Sequence, residues 1–279
     1  MPAIYAHYKM GKETIPMLDG EQTDIINEYR ELFDIGVHGP DIFFYYKPLL
    51  SNPIKTMGND IHKENFKKFL DNAIKVINRK KNKKPYLAYL YGFLCHFSLD
   101  TCTHGLVNKY MDSTGLSHIK VEGEYDRSLM CEDGKNPLTY VLTVHINPSP
   151  YNSKIIYEFY KDIFDVEGHV FEAIDVYKAL KSMIWYNKVL RAPHPFKRNA
   201  LRIGMKYIGI YHYFGGFIMG ERPHPKCIEN NKCMRLVMEE AKELAKSFIE
   251  GLDGYMKSNI DLPSEINQDF NGVVQNGKA

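Results

Sequence analysis

The sequence predicts an all-α protein, a multi-helix bundle, and three observations carry that prediction. Apolar residues recur with a helical period along most of the 279 residues. No stretch alternates apolar and polar residues convincingly enough for a half-buried strand. No internal repeat or linker interrupts the pattern, so residues 1–261 are expected to form one domain, with a polar, flexible tail over 262–279.

Periodicity places a first helix at 21–33. Residues 34–58 break the pattern with Gly36, Gly39, Pro40, Pro48, Pro53 and Gly58, which predicts a long loop. Loops of that length are uncommon unless they serve a function. Asn59 or Asp60 can N-cap a second helix reaching residue 79. The basic run 78–84 reads as a solvated connector whose cations favour a helix C-terminus. Pro85 suits the first position of a third helix, 86–110. That helix is apolar nearly all round, so it is expected at the centre of the bundle. A fourth helix is expected at 117–131, and later ones at 137–146, 153–164, 168–190, 196–213 and 230–255.

Composition narrows the function. With 44% apolar and 25% charged residues the chain can build a core, which excludes a largely disordered protein. The 36 basic and 34 acidic side chains leave a net charge of +2, which makes no general case for nucleic acid or an anionic surface. Five cysteines without a framework of pairs predict reduced thiols. The N-terminal residues lack a charged segment followed by an apolar run, as a secretory signal would have. The most apolar stretch, 86–99, is too short to span a bilayer and runs into His96 and Asp100. These features predict a cytoplasmic protein with no transmembrane segment.

The informative residues are His96, Asp100 and His104, followed by His118 and Glu122. On a helix, positions four apart share a face and lie about 6 Å apart along the axis. His96, Asp100 and His104 therefore form a stripe about 12 Å long, too long for one ion with ligand bonds of about 2 Å. It suits two ions, one near His96 and Asp100, the other near His104. His118 and Glu122 share an inward stripe with Tyr125 and Leu129. A buried carboxylate there needs partners, and imidazoles with a metal supply them. His62 lies on the face of Phe66, Phe69 and Ala73, Asp41 ends Gly39-Pro40-Asp41, and His7 sits near the N-terminus. Taken singly, His62 or His7 reads as a hydrogen-bonded core residue, and one pair at this spacing as an ordinary polar contact. Two such pairs on inward faces, joined by a third histidine, point to a metal. Nitrogen and carboxylate donors suit Zn²⁺, with Mn²⁺ or Fe²⁺ still open.

The other candidates are weaker. His38 flanks the Gly-Pro turn near the expected site, while His145, His169, His194, His212 and His224 have no partner at ligand spacing. Cys95 and Cys102 point away from the stripe and read as core; Cys227 and Cys233 are a weak metal signal. Phe43, Phe44, Tyr45 and Tyr46 beside Asp41 read as core packing, with the lining of an apolar pocket as the alternative.

The pattern of His96, Asp100, His104, His118 and Glu122 with the Gly39-Pro40-Asp41 loop resembles the zinc-dependent phospholipases C. These are bacterial enzymes related to the catalytic part of the glycosylphosphatidylinositol-specific phospholipase D. The resemblance covers residues 2–129; beyond them only the helical character fits. More distantly, the ligand order is similar to that of zinc-dependent single-strand nucleases. The resemblance implies an α-helical bundle with a three-zinc cluster at the end of a cleft. It assigns Asp41, His62, His96 and Asp100 to a first zinc, and His104, His118 and Glu122 to a second. A third would take His7 and the other oxygen of a bridging Asp100. In the family's secreted members a processed N-terminal residue completes that third site; here Pro2 would stand in, and the alternative is a dinuclear centre. The implied reaction is hydrolysis of a phosphodiester, a phospholipid in the family, by two or three zinc ions that activate water for attack on phosphorus. Asp41 would orient or deprotonate that water, and Phe43, Phe44, Tyr45 and Tyr46 would form an apolar entrance. Two other readings stay open: a metal-dependent nuclease or nucleotide phosphatase, against which the charge balance argues, and a non-catalytic protein whose metal only holds helices together.

Overall fold

The computed structural model describes residues 4–164, 170–257 and 260–274. Among these residues the fold is all-α, with one isolated β-bridge between Gln268 and Val274. In chain order the helices are α1 (Ile4–Thr14), α2 (Glu21–Glu28), α3 (Arg30–Gly36), α4 (Pro53–Lys63), α5 (Phe66–Asn78), α6 (Lys84–Thr114), α7 (His118–Glu132), α8 (Pro150–Tyr160), α9 (Ala173–Leu190), α10 (Pro195–Tyr207), α11 (Tyr211–Phe214) and α12 (Ile228–Met256). No helix among the described residues is long and apolar enough to cross a membrane.

The central helix is α6. Apolar side chains on every side of it are buried, and α1, α2, α3, α7, α8 and α12 pack around it. Its aromatic face stacks in series: Phe97 lies on Phe66 at 3.5 Å between centroids, and Phe93 on Phe69 at 4.6 Å. On the other side α3 comes against α6 backbone to backbone. A Cβ on Gly36 would collide with the carbonyl of Tyr89, and one on Gly92 with the carbonyl of Phe33. This crossing brings the segment after α3 directly onto the middle of α6, where His96 and Asp100 lie.

Several boundaries differ from the sequence reading, for identifiable reasons. The chain begins its helices at α1, which the periodicity did not reveal because α1 buries His7, Lys9 and Thr14 along with its apolar residues. The helix expected at 21–33 is two helices, broken where Tyr29 leaves helical geometry at φ −121° and ψ 41°. The expected loop 34–58 holds a 3-10 segment, Gly39–Tyr45, and the first turns of α4. The cap of α4 is Asn52, whose side chain accepts from the Lys55 N–H at 3.1 Å, not Asn59 or Asp60. Asn65 caps α5 in the same way, so one expected helix becomes two. No helix forms at 137–146, where turns replace it. Thr139, Val141, Thr143 and Val144 are β-branched and resist helix, and Pro137 and Pro148 flank them.

The segment 262–274, expected as a flexible tail, packs instead. Leu262, Ile266 and Phe270 recur every four residues and are all buried, Phe270 completely. The Phe66 N–H donates to the Gln268 carbonyl at 3.0 Å, and the Phe270 N–H to the His62 carbonyl at 3.3 Å. Thr101 of α6 donates its hydroxyl to Gln268 at 2.8 Å. This strap ties the end of α4, the start of α5 and the interior of α6 together. Residues 275–279, Pro2 and His169 lie outside the described residues.

Candidate metal centre

Five segments converge on Asp100 of α6. Its Oδ1 lies 3.4 Å from His7 Nε2 of α1 and 3.7 Å from His104 Nε2 one turn along α6. Its Oδ2 lies 3.3 Å from His96 Nε2 and 3.9 Å from His62 Nε2 of α4. Asp41, in the 3-10 segment that the α3–α6 crossing delivers, places Oδ1 3.2 Å from His62 Nε2. At the other end, Glu122 Oε1 of α7 lies 2.9 Å from His118 Nε2 and 3.6 Å from His104 Nε2. All eight residues singled out from the sequence thus come together. Their donor atoms fall into three groups, each within 4.8 Å: His7, His96 and Asp100; Asp41, His62 and His96; His104, His118 and Glu122. His96 belongs to two of these groups.

The residues fit divalent cations. Both nitrogens of His96 and Nδ1 of His7 are buried without a well-aligned hydrogen bond, a costly state for polar atoms that a cation on the unprotonated nitrogen would relieve. Burial pulls the His96 imidazole down to about 3, against the opposing pull of Asp100, so the ring is neutral and one nitrogen lone pair is available for a metal. Burial also disfavours charge on His104, but Asp100 and Glu122 outweigh it and hold that imidazole at about 9. The carboxylates of Asp41, Asp100 and Glu122 therefore make a centre that calls for positive charge.

A surrounding layer fixes the ring orientations. His62 donates its Nδ1–H to the Gly58 carbonyl at 2.7 Å, and His104 its Nδ1–H to the Phe270 carbonyl at 2.7 Å. A carbonyl only accepts, so both rings carry a proton on Nδ1 and turn Nε2 toward the carboxylates of the centre. Gly39 adopts φ +47°, and a Cβ there would strike the ring of His96. Only glycine lets the Asp41 loop lie flat on that imidazole. The start of α1 is held by Asp126 of α7, which accepts from the Tyr5 N–H at 3.1 Å and the Ala6 N–H at 2.8 Å. Burial pushes the Asp126 carboxyl well above the usual range, although those two N–H groups favour its charge. This contact sets the position of His7, one residue on.

The aromatic run after Asp41 divides. Phe43 is fully buried, edge-on to Tyr160 at 4.9 Å, and Tyr45 and Tyr46 are buried as well. Phe44 is half-buried and packs against His62, 5.4 Å between centroids. Of the four, Phe44 is the ring placed both beside the centre and toward solvent.

Sequence reasoning did not find Asp126, the Phe270 carbonyl or the pairing of His38 with His145. The two rings of that pair meet Nε2 to Nε2 at 2.7 Å, and His145 stacks on Tyr8 with centroids 3.9 Å apart. Phe270 had a signal, being the third of three apolar residues four apart in a polar stretch. Asp126 had one as well, on the inward side of α7 one turn after Glu122. The histidine pair joins residues 107 apart and left no local trace.

Comparison with known proteins agrees with this geometry. The family model described as zinc dependent phospholipase C matches residues 6–182. That is more than half of the chain, and the chain belongs to this family. No curated protein and no solved structure matches it.

Proposed function

We propose that this member of the zinc dependent phospholipase C family is a zinc-dependent phosphodiester hydrolase acting on a phospholipid. The observation that carries the reading is Asp100, one buried carboxylate with imidazoles on both of its oxygens, two to each. A metal that only held helices together would need four donors at one point. Here eight donors spread over three adjoining groups, the arrangement that serves more than one ion.

In this reading Asp41, His62 and His96 would hold one zinc with Oδ2 of Asp100, His104, His118 and Glu122 a second, and His7 with Oδ1 of Asp100 a third. When bound, zinc would supply Lewis acidity toward the phosphodiester and the attacking water. The remaining work falls to the chain. Asp41 comes from the 3-10 segment, its Oδ1 3.2 Å from His62 Nε2, and its carboxylate would orient or deprotonate the attacking water. His118 is the most open of the eight, its side chain 31% exposed, so substrate enters from the α7 side. Gly58 and Phe270, through their carbonyls, keep His62 and His104 turned inward while the substrate changes charge.

Metal analysis of the purified protein, with hydrolysis of phosphatidylcholine, single-stranded DNA and a nitrophenyl phosphodiester each measured with and without chelator, tests the reading. Two or three zinc ions per chain and chelator-sensitive release of a phosphorylated headgroup are expected. One tightly held ion and no hydrolysis would make the metal structural. Hydrolysis of DNA alone would move the substrate to nucleic acid.

A further inference from the structure

We propose that the outward face of α10, with the basic segment around it, docks on an anionic lipid bilayer. Three observations lead there. First, the outer face of α10 is apolar. Phe196, Ala200, Ile203 and Tyr207 follow one another at steps of four, three and four, which puts them on one stripe of the helix. Phe196 is 86% exposed, Ile203 68% and Tyr207 91%. The opposite face is already occupied, since Met205 and Leu201 pack with Leu190, Ala192 and Ile218 in a small core of their own. A helix lying on a soluble protein ordinarily turns polar residues outward. This one is apolar on both sides.

Second, the charge around that stripe is predominantly positive, with Glu221, paired to Arg198 of α10, the acid beside it. Residues 176–220 contain eight Lys or Arg and not one Asp or Glu, in a chain whose net charge is only +2. Lys197, Arg202 and Lys206 flank the stripe; Lys197 Nζ donates to the Arg191 carbonyl at 2.7 Å and Lys206 Nζ lies 5.2 Å over the Tyr211 ring, and on a bilayer their long aliphatic stems would let these ends turn to phosphate. Tyr213, just beyond α10, is also 63% exposed. An apolar stripe with aromatic rings and basic flanks is the form that lies in the boundary between headgroups and acyl chains. A second copy of the chain fits it less well, because a two-fold contact would bring these cations onto their own images.

Third, the segment is fixed to the metal centre. The backbone of Gly216 lies against Ile119 and Gly123 of α7, on either side of Glu122. Arg127 of α7 donates to the carbonyls of Gly220 at 3.1 Å and Glu221 at 2.7 Å. A membrane bound at α10 is thus held at a set distance from His118 and Glu122. α10 and the segment after it follow the part of the chain that the family model matches. The surface draws its purpose from the phospholipid reading, but its binding to lipid is measurable without it.

The test is flotation of the full chain with phosphatidylcholine vesicles, with and without phosphatidylserine, alongside hydrolysis of a soluble nitrophenyl phosphodiester. Binding to the phosphatidylserine vesicles, weakened by salt, is expected. A variant carrying Phe196→Ser and Tyr207→Ser should bind about tenfold more weakly or worse. Lys197→Glu with Lys206→Glu should abolish the preference for anionic lipid. Both variants should hydrolyse the soluble substrate as the parent does. Failure of the parent to float, or equal binding by the serine variant, overturns the proposal. So does a parent that is dimeric in light scattering and becomes monomeric in that variant, which would make the face a contact between copies. Lipid binding by a protein that hydrolyses nothing would leave this surface standing and remove the function proposed above.

Discussion

Around Asp100 the chain buries imidazoles and carboxylates almost completely, while on α10 it leaves Phe196 and Tyr207 86% and 91% exposed. Each region inverts the usual rule for its residue types. The metal-centre region places polar groups inside and holds them with the stacked rings of α5 and α6, the glycine crossing of α3 on α6, and the strap 262–274. The region from the end of α9 through α11 has only a small core around Leu190, Met205 and Ile218. Rigid placement matters where several side chains must meet one point to within a fraction of an ångström. A surface that meets a fluid layer needs only the right composition on one face. The two regions therefore respond differently to substitution.

The largest effect is expected at the centre of the first region. Asp100→Asn keeps the volume and removes the charge that faces four imidazoles, so hydrolysis should fall about a thousand-fold or more. Zinc content should fall with it. Retention of the full zinc complement in that variant would separate Asp100 from the metal and break the account of the centre.

A smaller effect is expected from the strap. Ending the chain after Pro263 removes the Phe270 carbonyl that accepts from His104. Loss of such an outer contact should weaken zinc binding about 10- to 100-fold in a competition titration. Phe270→Leu keeps the carbonyl and loses ring contacts with His62, His96 and Phe97, so it should lower the melting temperature and leave zinc affinity near the parent value. Equal zinc affinity in the shortened chain would return the segment to the flexible tail its composition suggests.

What could be read from the sequence followed the range of the interaction. His96, Asp100 and His104 lie on one helix, and His118 and Glu122 on the next, so helical spacing alone set each group on a face. His7, Asp41 and His62 needed the resemblance, because their nearness to Asp100 depends on how α1, the 3-10 segment and α4 fold back on α6. The sharing of His96 between two groups depends on ring rotation, which no spacing encodes. The carbonyls of Gly58 and Phe270 carry no side-chain signal at all. The helix expected at 137–146 failed because apolar content outweighed β-branching in that reading. The basic, acid-free stretch was plain in the sequence, but only the exposure of α10 gives it a meaning, since the net charge of the whole chain conceals it.

The histidine pair outside the centre separates stability from metal binding. Burial holds His145 at about 3, against an ordinary 6.5. Below pH 6.5 the unfolded chain binds a proton there that the native chain does not, so stability is full above that pH and is lost as pH falls toward about 3. The slope from this one group should approach about 1.4 kcal/mol per pH unit. His145→Phe keeps the stack on Tyr8 and cannot titrate, so denaturant unfolding between pH 7 and pH 5 should show a shallower loss. Its zinc content at pH 7 should match the parent. Loss of zinc in this variant would extend the metal centre outward to the pair.

The smallest effect is expected on α10, and there the comparison is most exposed to failure. Phe196→Ser removes a large apolar side chain, a change that inside the first region, as Phe97→Ala, should cost about 3–5 kcal/mol. At 86% exposure Phe196 has little packing to lose, so its variant should stay within about 0.5 kcal/mol of the parent in denaturant unfolding. Serine there should also raise solubility, since it removes apolar surface from water. If Phe196→Ser instead destabilises the chain as Phe97→Ala does, the ring is buried in the protein as it exists in solution. The contrast between a packed centre and an open face would then vanish, because α10 would belong to the core.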